Sequence, residues 1–362
     1  MKGKKNMKHG RKKLWWVAAV LAMLVGVVAA YAGYVFLSYS RIPDFQTLRI
    51  DGDAEKMASV GTEYTAVSYN VGFGAYTPDF TFFMDGGSES WAASKESVME
   101  CIRGATETAL SFAPDLVLFQ EVDTDSTRSY HVDEAELINS AFPDCDSVAA
   151  VNYHSPFLMY PLWQPHGSSH SCLLTESTFD VTSALRRSLP IATNWKKLLD
   201  LDRCYSICRI PVENGRELIV FNVHLSAYGT DASQGEAQLE MLFSDMGTEY
   251  EKGNYVICGG DFNHDFPGDS RETLNPGTDR IYSWCQPLPR ELLPDGFSLC
   301  TDYPELVAST RDTDIPYSAD SFTVILDGFI ISSNVQCNGS QVVDTGFLYS
   351  DHNPVLLRFV LQ

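Results

Sequence analysis

Residues 255–263 read YVICGGDFN: an apolar run from Tyr255 to Cys258 gives way to Gly259 and Gly260, then to Asp261 and Asn263. Apolar runs of four to eight residues bounded by turn formers read as buried strands, so Asp261 sits where a strand leaves the core. Five other stretches repeat the pattern. TAVSYN ends on Asn70, LVLFQE on Glu121 and LIVFNVH on His224, while TVILDGF carries Asp327 and SDHNPV carries Asp351 and His352. Polar groups gathered at strand ends from distant parts of a chain are how an α/β scaffold builds a site.

Around these stretches the strands and helices alternate loosely, so a purely parallel sheet is not required. Val98, Ile102, Ala105, Ala109 and Phe112 recur at helical spacing, with Ser90 as the expected cap and Pro114 as the exit into LVLFQE. A short helix is expected over 134–142 and an amphipathic one over 236–250. Strands are expected near 171–175, 204–211, 217–224, 322–331 and 354–361. Residues 71–90 and 152–167 mix aromatics with breakers and read as loops, the second a long one near the site mouth. From Phe266 to Asp320 Pro and Asp are frequent, and no element is assigned there.

The N-terminus differs from the rest. Lys2, Lys4, Lys5, Lys8, Arg11, Lys12 and Lys13 precede Leu14–Leu37, a stretch with no charged residue. At about 1.5 Å per residue a helix over 14–37 exceeds the roughly 30 Å hydrocarbon thickness. The basic flank predicts a cytoplasmic N-terminus (1–13), a signal-anchor helix (14–37), a tether (38–62) and an extracytoplasmic catalytic domain (63–362) at the cell membrane. Trp15, Trp16, Tyr31 and Tyr34 suit the two interfaces. The alternative is secretion after cleavage of a signal peptide, for which Ala30-Tyr31-Ala32 offers a site; the apolar run continuing through Phe36 and Leu37 favours the anchor.

Residues 1–41 hold eight of the 26 Lys and Arg and no acid, leaving 18 basic against 47 acidic residues beyond them, a net charge near −29. So negative a surface disfavours extended nucleic acid as a partner. Hydrophobic content of 44% with 20% charged residues supplies a core and argues against disorder. The nine cysteines show no C-x-x-C pair or zinc-ribbon spacing, and a disulfide pattern is not readable from them. His154, His166, His170 and Cys172 fit no short zinc loop. Asn338-Gly339-Ser340 is a glycosylation sequon.

Cleaving a phosphate ester requires a cation on the anionic oxygens, an oriented water and a proton carrier. Glu121, Asp351 and the amide of Asn70 suit a hard cation that keeps several waters. Asp261 and Asn263, two apart, face the same side if the strand extends that far, and Gly259 and Gly260 let backbone approach a ligand. G-G-D-x-N reads equally as a tight turn whose Asp and Asn bond their own backbone. Asp327 can accept from Nδ1 of His352 and fix its tautomer. His224 supplies a second imidazole.

The ordered set SYN, QEVD, NVHLSAYG, GGDFNHD, ILDGF and SDHNPV, from about Tyr64 to Phe359, resembles the endonuclease/exonuclease/phosphatase superfamily, which includes DNase I-like nucleases. The resemblance implies a four-layer sandwich of two packed mixed sheets flanked by helices. It also implies Mg²⁺-dependent hydrolysis of a phosphate ester, with Mn²⁺ or Ca²⁺ as alternatives. By the same resemblance Asn70, Glu121 and Asp351 are the metal-side residues, Asp261 and Asn263 orient water and phosphate, Asp327 and His352 form an Asp-His dyad, and His224 holds the scissile phosphate. Either Asp261 or His352 could take the proton from water. The chain departs from the pattern at SSHSCLLTE (168–176), where many members carry an Asn ahead of a basic residue. The expectation is a membrane-tethered phosphoesterase for a small or lipid-linked substrate; an extracellular nuclease and a non-catalytic binding module are the alternatives.

Overall fold

The computed structural model describes residues 3–38, 40–191, 202–227, 232–278 and 284–362. Of the segments named above, Met1 and Lys2 and the Tyr228-Gly229 end of NVHLSAYG lie outside the described residues. The chain forms two units, Met1–Arg41 and Ile42–Gln362. The first is one helix, α1 (Gly3–Ser38), whose stretch Lys13–Ser38 is long and apolar enough to cross a membrane, with a mean hydropathy of 2.3. A signal sequence has the same character.

The second unit runs β1 (Gln46–Thr47), β2 (Ile50–Asp51), β3 (Glu63–Asn70), α2 (Lys95–Leu110), β4 (Leu116–Asp123), α3 (Glu134–Asn139), β5 (Asp146–Leu158), β6 (Gly167–Ser177), β7 (Ser183–Ser188), β8 (Cys204–Pro211) and β9 (Glu217–His224). It continues through α4 (Ala232–Glu251), β10 (Tyr255–Asp261), α5 (Ser270–Leu274), β11 (Phe297–Leu299), β12 (Thr310–Arg311), β13 (Thr323–Val324), β14 (Asp327–Ser332), β15 (Val335–Val342) and β16 (Val355–Leu361). One seven-stranded sheet has the order β1-β7-β8-β9-β10-β14-β11, the other β15-β16-β3-β4-β6-β5-β2, and β12 pairs with β13. Both large sheets are mixed: β3–β4 and β9–β10 are parallel, and the other pairs antiparallel.

Strand periodicity builds the layers. On β3 and β4, Val67, Tyr69, Val117 and Phe119 pack with Val98, Ile102, Ala105 and Ala109 of α2, while Ala66, Leu116 and Leu118 face the core shared with Val220, Phe221 and Ile257 of the other sheet. Both faces are covered, which is why these strands read as continuous apolar runs. Leu239, Leu242, Phe243 and Met246 seat α4 on the second sheet. The resulting four layers are those of the DNase I-like sandwich. Between the sheets Gln120 donates from Nε2 to Asn222 Oδ1 at 2.9 Å, and Asn222 Nδ2 donates to the carbonyls of Phe119 and Leu174 at 3.2 Å. This buried bridge lies one residue from Glu121 and ties the sheets together beside the site.

Several expectations need correction. The segment assigned to a tether over 38–62 is partly built into the sandwich: Gln46–Thr47 pairs with β7, Ile50–Asp51 pairs with β5, and Ala58 is buried. Two-residue strands carry no periodicity, so sequence could not show them. The stretch 152–167 is a hairpin and not a long loop, because β5 extends to Leu158 and pairs with β6 through two register shifts that break the alternation. Its tip leans on the 71–91 segment through Ser90 N to Gln164 Oε1 (3.0 Å) and Trp91 Nε1 to Pro165 O (2.8 Å). Helix α2 is capped by Ser94, whose Oγ accepts from Ser97 N at 3.1 Å, while the Ser90 hydroxyl donates to Gln164 O.

Candidate active site

Strand register collects the site. β16 runs antiparallel to β3 with Val355 opposite Ser68, so the segment entering β16 passes beside Asn70. In the other sheet Asp261 is opposite His224 on one side and Asp327 on the other. The ends of the two parallel pairs and the starts of their antiparallel neighbours therefore share one edge of the sandwich.

The Asn70 side chain marks the meeting point. Its Nδ2 lies 3.1 Å from Asp261 Oδ2, 3.4 Å from Glu121 Oε1 and 3.5 Å from His352 Nε2, while its Oδ1 accepts from Gly72 N at 3.0 Å. His224 Nε2 is 3.4 Å from Asp261 Oδ2 and 3.8 Å from Glu121 Oε1. His352 Nδ1 is 2.8 Å from Asp327 Oδ2, and its Nε2 is 3.8 Å from Asp261 Oδ2. The structure thus brings together seven of the eight predicted residues directly: Asn70, Glu121, His224, Asp261, Asp327, His352 and, next to His352 in the chain, Asp351.

Asn263 stands apart in geometry. β10 ends at Asp261, and Asn263 adopts φ 51° with its N donating to Asp261 Oδ1 at 2.9 Å and its Nδ2 to Leu225 O at 2.8 Å. The expectation of two residues on one strand face is replaced by the Asx-type turn, in which Asn263 fixes the Asp261 carboxylate. The glycines also act differently than expected. A Cβ on Gly259 would run into the Phe329 ring and one on Gly260 into the Val223 carbonyl, so they admit close packing of the sheet and not a ligand. Asp351 and His352 likewise do not alternate along a strand, for β16 begins only at Val355.

Glu121 also has an unusual backbone, φ 56°, at the register shift between Phe119 and Val122 where β4 leaves β6. Non-glycine residues with positive φ are uncommon and costly, and bulges re-aim side chains near sites. Its side chain keeps 27% exposure, whereas Asp261 and Asp327 keep 2% and 1%. Behind it, Arg128 forms a buried pair with Asp123 (2.9 and 3.0 Å) and lies over the Phe73 ring at 3.8 Å.

The electrostatics follow from burial. Burial, then the neighbouring Asp327, pushes the Asp261 carboxyl up to about 7. Burial and Glu121 raise Asp351 to about 6, against the lowering effect of His352 and Arg311. Burial opposes a charge on His352, yet Asp327, Asp351 and Asp261 together push it up to about 10. Burial holds His224 well below its usual range, hence neutral. One donor atom each from Asp261, Asp327 and His352 falls within 4.8 Å of the others, close enough to share a cation. The 2.8 Å His352–Asp327 hydrogen bond already occupies the facing atoms, however, and Glu121 offers the more open carboxylate. A pocket with four carboxylates, two of them made hard to ionise by burial, and with oxygen ligands at its rim fits a divalent cation.

Sequence reasoning missed three residues. Ser309 Oγ and Thr310 Oγ1 donate to Asp327 Oδ2 at 2.7 and 3.1 Å, and Thr310 Oγ1 is 3.1 Å from His352 Nδ1. Arg311 is buried beside them, with its backbone N on Asp351 O (3.0 Å), Nη2 on Thr77 O (3.0 Å), and Nε and Nη1 without a hydrogen-bond partner. ASTRDTD offers no apolar period, so nothing marked it as an inner segment.

The sequence profile of the Endonuclease/Exonuclease/phosphatase family matches residues 67–352. Among curated proteins no relative matches the chain. The fold is similar to that of an endonuclease/exonuclease/phosphatase from Beutenbergia cavernae (TM-score 0.53, 16% identity, 83% of this chain and 72% of that one). It is also similar to ANGEL2, a 2′,3′-cyclic phosphatase (TM-score 0.54, 14% identity, 87% and 98%), and to a mannosyl-6-phosphatase from Bacteroides thetaiotaomicron (TM-score 0.51, 16% identity, 82% and 100%). The profile covers most of the chain and spans every predicted site residue: the chain belongs to the endonuclease/exonuclease/phosphatase family, hydrolases that act on phosphate ester bonds.

Proposed function

We propose that this protein is an extracytoplasmic, Mg²⁺-dependent phosphoesterase, tethered to the cell membrane by α1, that hydrolyses a small or lipid-linked phosphomonoester or phosphodiester. The observation that carries the catalytic reading is the convergence of Glu121, Asp261 and His352, from three separate strand ends, on the single amide of Asn70. Glu121 and Asp351, with Asn70, would hold the cation. Bound there, it would neutralise phosphate oxygens and favour charge build-up in the transition state.

The chain's own groups divide the remaining work. Asp261, with its carboxyl near neutrality and its orientation fixed by Asn263 and Asn70, is suited to accept the proton of an attacking water. This reading favours Asp261 over His352 as base, because the Asp327 carboxylate keeps the His352 ring protonated. His352 then donates to the phosphoryl group, and neutral His224 adds a second ring N–H on the opposite side of Asp261. Ser309 and Thr310 hold Asp327 in place.

Substrate size is supported by charge and by the hairpin. The strongly acidic domain opposes long nucleic acid, and Tyr160, Leu162 and Trp163 expose an apolar tip at the 157–166 hairpin. The ANGEL2 and mannosyl-6-phosphatase likenesses support small phosphate esters. The test is a panel of sugar phosphates, a nucleoside 2′,3′-cyclic phosphate, phospholipids and plasmid DNA, assayed with the detergent-solubilised chain in Mg²⁺ and in EDTA. Mg²⁺-dependent turnover of a small or lipid ester with intact plasmid is expected; rapid nicking of plasmid and no other turnover would replace this reading with the nuclease. Retention of α1 is tested by whether the mature chain sediments with membranes and is extracted only by detergent.

A further inference from the structure

The thiols of Cys300 and Cys337 face each other. Cys300 follows β11, is buried, and has its backbone N on Phe329 O at 2.9 Å; Cys337 lies on β15 opposite Phe359, at the register shift before Gly339, and is only partly buried. β11 is the edge of one sheet and β15 the edge of the other. Among the nine described cysteines this is the pair joined by a side-chain hydrogen bond, with Cys300 as donor.

We propose that Cys300 and Cys337 are an oxidisable pair whose disulfide staples the edge strands of the two sheets. The bond would close a loop over residues 301–336, which contains Ser309, Thr310, Arg311 and Asp327, and so would pin the segment that holds the Asp-His dyad. Thiolate character separates this pair from the rest. The hydrogen bond from Cys300 brings the Cys337 thiol down to about 7, whereas burial raises Cys101, Cys145, Cys172, Cys204, Cys208, Cys258 and Cys285.

The oxidant is a disulfide, such as oxidised glutathione or a dithiol oxidase of an oxidising compartment. Cys337 Sγ attacks one sulfur of the oxidant, breaking its S–S bond and releasing one thiolate. The Cys300 sulfur, giving up its proton, then attacks Cys337 Sγ and expels the second thiolate. Two protein thiols lose two electrons and two protons, and the oxidant is reduced to two thiols.

The test uses the full chain in detergent, equilibrated in oxidised glutathione or in dithiothreitol, then denatured, alkylated and digested with trypsin. Cys300 and Cys337 fall alone in peptides 291–311 and 312–358, so the linked species is unambiguous. The expected result is that linked pair in the oxidised sample only, with Tm higher by about 5 °C and reversal by reductant. Cys337→Ser abolishes both changes. Cys300→Ala serves as the second variant and must do the same. Full alkylation of both peptides after oxidation with unchanged Tm, or linkage of either cysteine to a different one, overturns the proposal. Hydrolysis is followed in the same samples: its absence in both redox states counts against the proposed function and leaves the disulfide result standing.

Discussion

Replacing Asp261 by Asn should make the protein more stable at alkaline pH while removing most of its activity. The carboxylate is 2% exposed, receives Asn70 Nδ2 and Asn263 N, and is raised from 3.8 to about 7 by burial and by Asp327. An acid whose folded pKa is raised binds its proton more tightly in the folded state. Stability is therefore lost as pH climbs from about 3.8 and levels off above about 7. At about 1.4 kcal/mol per pKa unit the loss at pH 8 is on the order of 4 kcal/mol, an upper value because the pocket's groups titrate together. Asn keeps the shape and removes the titration. In EDTA, Asp261→Asn should therefore exceed the parent by a few kcal/mol at pH 8, or about 5 °C in Tm, and by nothing below pH 4. Urea and thermal unfolding at pH 4, 6 and 8 measure this. Hydrolysis in Mg²⁺ should fall roughly 10²- to 10⁴-fold. A variant less stable than the parent at every pH, or a stability gap that does not change with pH, would refute the reasoning.

Two further substitutions probe the neighbouring groups. Asp327→Asn removes the largest influence raising His352, so the His352 titration seen by NMR should move down from about 10 and hydrolysis should drop roughly 10²-fold or more. A histidine with a raised folded pKa adds stability that is full below its ordinary 6.5 and vanishes as pH passes about 10. The parent's stability advantage over Asp327→Asn should therefore shrink across that window, and an advantage growing with pH contradicts the account. Gly72→Ala places a Cβ 2.8 Å from Asp351 Oδ1, and against the Tyr76 ring, at φ 52°. It should cost about 1–3 kcal/mol in unfolding experiments and raise the Mg²⁺ needed for half-maximal rate; an unchanged Mg²⁺ response would separate Gly72 from the site.

The chemistry was more legible than the framework around it. Asn70, Glu121, His224, Asp261 and Asp327 stand at the ends of strands covered on both faces, and such strands leave unbroken apolar runs that point to their last polar residue. β7 (SALRRS) and β15 (VQCNGSQV) lie near sheet edges with half-exposed, polar faces, and so leave no such run. Ser309, Thr310 and Arg311 reach the site through the two-residue strand β12 and a single bridge between Thr310 and His352, a purely tertiary placement. The glycine pair shows the opposite error: its local signal was sound, but the close neighbour was Phe329 and Val223 of the protein itself.

The most direct measurement of the central claim, that residues from separate strand ends hold one catalytic cation, is the Mg²⁺ dependence of ester hydrolysis by the full chain and by Glu121→Gln. The account predicts no turnover in EDTA, recovery with Mg²⁺, and a half-saturating Mg²⁺ concentration about tenfold or more higher for Glu121→Gln, whose folding is unchanged. Turnover that persists in EDTA, or identical Mg²⁺ curves for the two proteins, would contradict it.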